Sequence, residues 1–249
     1  STTLAVDSLA KQMKAEGLDV IGFGAGEPDF NTPENISEAG IRAIREGKTR
    51  YTPAAGLVEL RKAVAERLRL DCGLEYDFSQ IVVASGAKHS VFITLCAILN
   101  PGDEVIVPAP YWVSYYEMIR MAGGVPVVVK AEEKQNFKIT AAQLEAAVTD
   151  KTKAVIFNNP SNPTGMLYSE AEMRHLADVC VRRDLFLIAD EIYCGLVYDG
   201  KPFVSFAALG DAVKARTILV NGVEIDTVYL PDNPVPEGFP THYEYLRHL

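Results

Sequence analysis

The chain has 249 residues, with 24 basic against 33 acidic side chains and a formal net charge of −9. At about 100–200 residues per domain this allows one large domain or two small ones, with material for a buried core. The 48% hydrophobic and 23% charged fractions exclude disorder and collagen-like repeats, and the acidic balance argues against nucleic acid as the main partner.

Residues 1–30 read as one amphipathic helix followed by the glycine-rich Ile21-Gly-Phe-Gly-Ala-Gly-Glu-Pro28. Ser1 opens the chain without a basic or apolar leader segment. Thr32 before Pro33 is an N-cap and first-turn signal for a helix reaching about Arg45. Beyond it, short β-branched runs predict buried strands at residues 81–84, 104–107, 125–129, 154–158, 185–189 and 217–220. None approaches the ~18 apolar residues of a membrane span.

Helical periods lie between these runs. One opens at Ser85-Gly-Ala-Lys88 and carries Val91, Phe92, Leu95, Ile98 and Leu99 as its apolar positions. Thr140-Ala-Ala-Gln143 and Ser169-Glu-Ala-Glu172 each fit a capping box, in which the two side chains satisfy orphan amides reciprocally. After Ser169, the residues Met173, Leu176, Ala177 and Cys180 lay one apolar stripe. Strands alternating with helices imply right-handed crossovers and a mostly parallel sheet covered on both faces, a three-layer α/β/α architecture. Ligands of such sheets bind at the carboxyl ends of the strands.

From Glu224 the alternation stops, and Pro231, Pro234, Pro236 and Pro240 punctuate a polar, acidic tail. The expected organisation is an N-terminal arm over residues 1–35, a large domain over 36–223 and an atypical tail over 224–249. Tyr229, Phe239, Tyr243, Tyr245 and Leu246 supply apolar area with which that tail could cover an exposed sheet edge. Cys72, Cys96, Cys180 and Cys194 form no C-x-x-C pair, and the first three fall in or beside apolar helical patterns. They read as reduced packing residues of a cytosolic protein. His89, His175, His242 and His248 lack metal-ligand spacing.

Three strand-end motifs carry the chemistry. Ser85-Gly-Ala-Lys88 is a small-residue turn opening a helix, whose free amides and partial positive charge suit a phosphate; a plain strand-to-helix turn explains it equally well. Asn158-Asn-Pro-Ser-Asn-Pro-Thr-Gly165 holds Asn162 between two X-Pro bonds, which admit cis peptides and forbid regular structure. Its donor and acceptor suit a ring oxygen, and a surface turn is the bland alternative. Ala189-Asp-Glu-Ile-Tyr193 ends an apolar strand with a carboxylate that, once buried, needs a cation; a metal ligand or helix cap is its alternative. Together these motifs would surround one pocket.

These residues resemble the fold-type I, class I aminotransferases that use pyridoxal 5′-phosphate, especially the aspartate aminotransferase subgroup. The resemblance covers about residues 1–223. It is carried in order by Gly26-Glu-Pro-Asp-Phe30, Arg50-Tyr-Thr-Pro53, Ser85-Gly-Ala-Lys88, Pro110-Tyr-Trp-Val-Ser114, Asn159-Pro-Ser-Asn-Pro-Thr-Gly165 and Asp190-Glu-Ile-Tyr193.

The resemblance implies that the Gly86 turn and the amides of Ala87 and Lys88 hold the cofactor phosphate and that Trp112 stacks on the ring. Asn162 and Tyr193 would bond the ring's phenolic oxygen, and Asp190 would pair with its nitrogen. Tyr51 would reach the cofactor of a second subunit, which implies a homodimer. Gly26 would admit the substrate α-carboxylate, and Lys88 with Thr3 would recognise a dicarboxylic side chain. The implied activity is amino-group transfer between an amino acid such as aspartate and a 2-oxo acid.

One departure bears on that activity. After Asn221-Gly-Val223 the family continues with Ser-Lys, and that lysine forms the Schiff base. Here Glu224 and Ile225 follow, and no lysine occurs after Lys214. The family's later segments, with the arginines that bind phosphate and the substrate α-carboxylate, are missing too. Neither Glu nor Ile can supply the amine or shuttle its proton, so an impaired enzyme is expected, binding the cofactor weakly and without a covalent link.

Two other readings compete. A non-catalytic module of the same fold would dock a partner through its tail, where Pro231-Asp-Asn-Pro234 matches PxxP spacing. A nicotinamide-binding oxidoreductase is prompted by Gly22-Phe-Gly24, but Glu27 stands where G-x-G-x-x-G needs its third glycine and Pro28 blocks the following helix.

Overall fold

A computed structural model describes residues 2–22, 26 and 30–222 of the chain. Its backbone contacts group the chain into two compact units, Ser1–Thr49 and Arg50 onward.

The first unit holds α1 (Thr2–Ala15) and α2 (Glu34–Arg45). The N-cap of α2 is Pro33 rather than Thr32, and no side chain caps it. Thr32 therefore lies one residue too early to reach the first-turn amides. The domain boundary read from the sequence fell at 35, so α2, assigned there to the large domain, groups here with the N-terminal unit.

The second unit runs α3 (Val58–Cys72), α4 (Gly86–Ile98), β1 (Glu104–Ala109), α5 (Ser114–Met121), β2 (Val125–Lys130), α6 (Ala141–Ala147), β3 (Thr152–Asn158), α7 (Glu170–Arg182), β4 (Phe186–Asp190), α8 (Asp211–Lys214) and β5 (Thr217–Val220). The five strands pair in parallel in the order β2-β1-β3-β4-β5. Residues 81–84, expected as a strand, join no ladder; the stretch is extended at Ile81, and its Val83 amide donates to the Ala55 carbonyl at 3.0 Å. β-branching there favours extension, but no strand lies alongside to pair with.

Side-chain alternation splits the core into two layers. Ala154 and Ile156 of β3 and Ile188 of β4 pack with Val91 and Leu95 of α4 and Tyr115 and Ile119 of α5. Val155, Phe157, Leu187 and Ala189 face the opposite layer, with Leu144 of α6 and the predicted stripe Met173, Leu176, Ala177 and Cys180 of α7. Phe157 stacks on Phe206 with ring centroids 5.1 Å apart. Both faces are thus covered by helices, as a parallel sheet requires. Cys96 is a correction: read as a packing residue, it is exposed, because it sits on the outer side of α4 between the buried positions Val91 and Leu95 and the helix end.

Both capping boxes form. The Ser169 Oγ accepts from the Glu172 amide at 3.4 Å while the Ser169 amide donates to Glu172 Oε2 at 2.7 Å. Glu172 also pairs with Lys138 at 2.7 Å, so one carboxylate ties α7 to the segment before α6. Ser169→Ala is expected to remove about 1 kcal/mol and lower the melting temperature by roughly 2–4 °C; an unchanged melt would show that the box adds nothing. Among the described residues no helix is long and apolar enough to cross a membrane.

Candidate active site

Strand parity decides what reaches the carboxyl edge of the sheet. Asp190 shares the parity of Ile188, and Asn158 that of Ile156, so both turn toward the α4/α5 layer. Glu191 takes the opposite side. There its Oε1 accepts from the Phe206 amide at 2.8 Å, while its Oε2 has no partner among the described residues. A cavity of about 240 Å³ opens at this edge, lined by the Gly86–Lys88 turn, Trp112, Tyr115, Asn158, Asn162, Asp190, Ile192 and Tyr193. It sits beyond the ends of β1, β3 and β4, the crevice where open parallel sheets bind ligands.

The Asn-Pro loop is held by its own amides. Asn158 Oδ1 accepts from the Asn162 amide at 2.6 Å, and Asn158 Nδ2 donates to the Asp190 carbonyl at 3.0 Å. Asn159 is fully buried and accepts from the Tyr168 amide at 2.9 Å. The Asn159–Pro160 and Asn162–Pro163 bonds are cis, as is Ala109–Pro110 before the Trp112 turn. Asn162 Nδ2 donates to the Tyr193 hydroxyl at 3.2 Å, which brings two loops 31 residues apart to one wall.

Asp190 is the electrostatic centre. Its side chain is 2% exposed, and burial pushes its carboxyl above the usual range despite hydrogen bonds that oppose this. Tyr115 donates to Oδ2 at 2.5 Å, and the Ile192 amide donates to Oδ1 at 3.3 Å. Among the described residues no Lys, Arg or His pairs with this carboxylate. A buried carboxylate so placed is stabilised by an incoming cation.

At the other end of the cavity α4 begins at Gly86, whose φ of +80° suits glycine. Ser85 makes no side-chain cap, and its own amide is taken by His89 Nδ1 at 3.2 Å. The Gly86 amide is used by the Ala84 carbonyl at 3.0 Å. The amides of Ala87 and Lys88 are left facing out of the first turn, as an anion site needs. The Lys88 ammonium rests over the Trp112 ring, 5.0 Å from its centroid.

Seven of the residues singled out from the sequence therefore line one cavity: Gly86, Ala87, Lys88, Trp112, Asn162, Asp190 and Tyr193. Tyr51 is fully exposed and does not line it. Gly26 is exposed within the N-terminal unit. The side chain of Thr3, residues 27–29 of the Gly26 motif and the whole tail lie outside the described residues. Sequence reasoning missed Tyr115, Asn158 and Ile192. Asn158 opens a motif already singled out; Tyr115 carries no signal beyond an apolar helix face, since its partner is 75 residues away.

A parallel α/β/α sheet with these strand-end loops matches a known family. The profile described as "Aminotransferase class I and II" covers residues 18–223, and the chain belongs to that family. It is 52% identical over 223 residues to an aspartate aminotransferase of Bacillus sp. (strain YM-2), a match taking in 90% of this chain and 57% of that protein. A probable aspartate/prephenate aminotransferase of Aquifex aeolicus is 50% identical over 221 residues, 89% of this chain and 56% of the relative. The solved structure of Thermus thermophilus aspartate aminotransferase with maleate superposes with a TM-score of 0.84 at 43% identity, over 90% of this chain and 57% of the other. The chain spans a little over half the length of these relatives.

Family membership implies pyridoxal 5′-phosphate as cofactor. The residues present fit such a group: free first-turn amides at one end of the cavity, an aromatic wall beside it, and a buried carboxylate lacking a cation at the other.

Proposed function

We propose that this cavity binds pyridoxal or pyridoxamine 5′-phosphate and that the chain derives from an enzyme transferring an amino group between aspartate, or a similar amino acid, and a 2-oxo acid. The convergence of the Gly86 turn, Asn162 and Asp190 on one cavity supports this reading most strongly. When bound, the cofactor supplies an electron-accepting ring. The chain's own residues bind and orient it. Ala87 and Lys88 donate amides to the phosphate, Trp112 packs against the ring, Asn162 and Tyr193 bond the phenolic oxygen, and Asp190 holds a proton on the ring nitrogen. Lys88 serves a carboxylate of the substrate, and Tyr51 serves the cofactor of a second subunit in a homodimer.

With Glu224 and Ile225 following Val223, where the resemblance expects Ser-Lys, the cofactor is held without a covalent link and weakly. Lys88 belongs to the phosphate end of the cavity. Titrating the chain with pyridoxal phosphate, reducing with borohydride and mapping peptides tests both parts of the proposal. A saturable absorbance change with no reduced adduct is expected. A stable adduct on a single lysine contradicts the non-covalent reading, and no saturable change at all contradicts cofactor binding.

A further inference from the structure

We propose that Tyr115 is a positioning residue for the cofactor ring: its hydroxyl holds Asp190 ionised, with one oxygen presented to the ring nitrogen. This rests on the cofactor reading above. Tyr115 sits on α5, is 1% exposed, and places its ring edge-on to Trp112, with centroids 5.4 Å apart and planes at 87°. The same aromatic pair therefore builds the wall of the cavity and aims the phenol. The hydroxyl occupies Oδ2 at 2.5 Å, whereas Oδ1 receives only the long Ile192 contact of 3.3 Å. Oδ1 is left as the acceptor for an incoming N–H.

Among the described residues around Asp190, Tyr115 is the one side chain that donates to it; the only other donor is the Ile192 amide, whose 3.3 Å contact is long. Lys88 comes from α4, but its ammonium lies over Trp112. Tyr193 and Glu191 follow β4; the Tyr193 hydroxyl takes the Asn162 amide, and Glu191 faces the opposite layer. Asn158 spends its side chain on backbone groups. Burial favours the neutral acid, and a neutral acid offers a protonated ring nitrogen no ion pair. Tyr115 counters this as a donor to the charged form, and its own proton stays in place because burial and the neighbouring Asp190 push the phenol well above its usual range.

Trp112, the only tryptophan, reports binding of pyridoxamine 5′-phosphate by quenching of its fluorescence. Affinity in the wild type should fall on the acid side as Asp190 takes up a proton. In Tyr115→Phe, which keeps the ring and its packing, that acid limb should move up by about one to two pH units, the worth of a hydrogen bond to a charged group. Tyr115→p-aminophenylalanine, which keeps a donor, should restore the wild-type limb. A 1-deaza analogue, lacking the ring nitrogen, should bind without the limb in all variants.

An unmoved limb in Tyr115→Phe overturns the proposal. So does an equal loss of pyridoxamine phosphate and deaza analogue at every pH, which assigns Tyr115 to packing alone. If Tyr115→Phe does not fold, the p-aminophenylalanine variant decides: a limb displaced despite the retained donor overturns the proposal. Absence of any quench in the wild type overturns the cofactor reading, and this inference with it.

Discussion

Asp190→Asn should weaken pyridoxamine 5′-phosphate binding by about a hundredfold or more while leaving the chain folded. Asp190 is 2% exposed and has no cationic partner among the described residues; in the proposed reading a protonated ring nitrogen completes it. Removing one member of a buried pair typically costs about 3–5 kcal/mol, because the other charge stays in a poorly polarisable site, and about 1.4 kcal/mol is a factor of ten. Asparagine keeps the shape and an acceptor for Tyr115, so folding survives; melting should be unchanged or slightly higher, since a buried ionisable group is gone. Fluorescence titration of Trp112 measures the loss. Equal affinity in the variant would mean that Asp190 does not face the ring.

The second large effect concerns pH and stability. Burial pushes Glu191 from 4.5 to about 7, against the opposing hydrogen bonds from Phe206 and Ser205. Because the folded state then binds more protons than the unfolded one, stability falls as pH rises. The contribution is fully present below about 4.5 and is lost as pH passes about 7. A difference of that size corresponds to about 3 kcal/mol. Glu191→Gln keeps an oxygen for the Phe206 amide and removes the ionisation, so the variant should gain on the wild type as pH rises. The melting-temperature gap between them should widen by roughly 6–12 °C from pH 4.5 to 8. A gap that does not change with pH would show that Glu191 is not held neutral by its surroundings.

These two neighbours show what a sequence discloses and what it hides. Asp190-Glu191 at a strand end announced a buried carboxylate, and the alternation of Leu187, Ile188 and Ala189 contains the information that the two point to opposite layers. Five of the six expected strands form. β1, β3 and β4 are buried as their β-branched runs predict, but β2, expected to be buried too, is the edge strand, has no buried residue and exposes Val125 and Val128. The stretch 81–84 has the same local signal but no partner alongside, and pairing is a long-range property. The caps at Thr140 and Ser169 were legible because each needs only four residues, whereas Thr32 failed because helix starts shift by a residue on small differences in backbone geometry.

Within the cavity, the loop residues were readable from their motifs. Tyr115 was not: its role depends on a helix packing angle that brings a phenol to a carboxylate 75 residues on. Family membership follows from the profile over residues 18–223. The relatives' full activity concerns proteins of which this chain spans 57% or less in the matches above.

Diffraction from crystals of the chain grown with pyridoxamine 5′-phosphate puts the central claim to its most direct test. The account predicts a single bound molecule whose phosphate takes the Ala87 and Lys88 amides and whose ring nitrogen lies within hydrogen-bond distance of Asp190 Oδ1. A ligand seated elsewhere, or one in this cavity with its ring nitrogen turned away from Asp190, would contradict it.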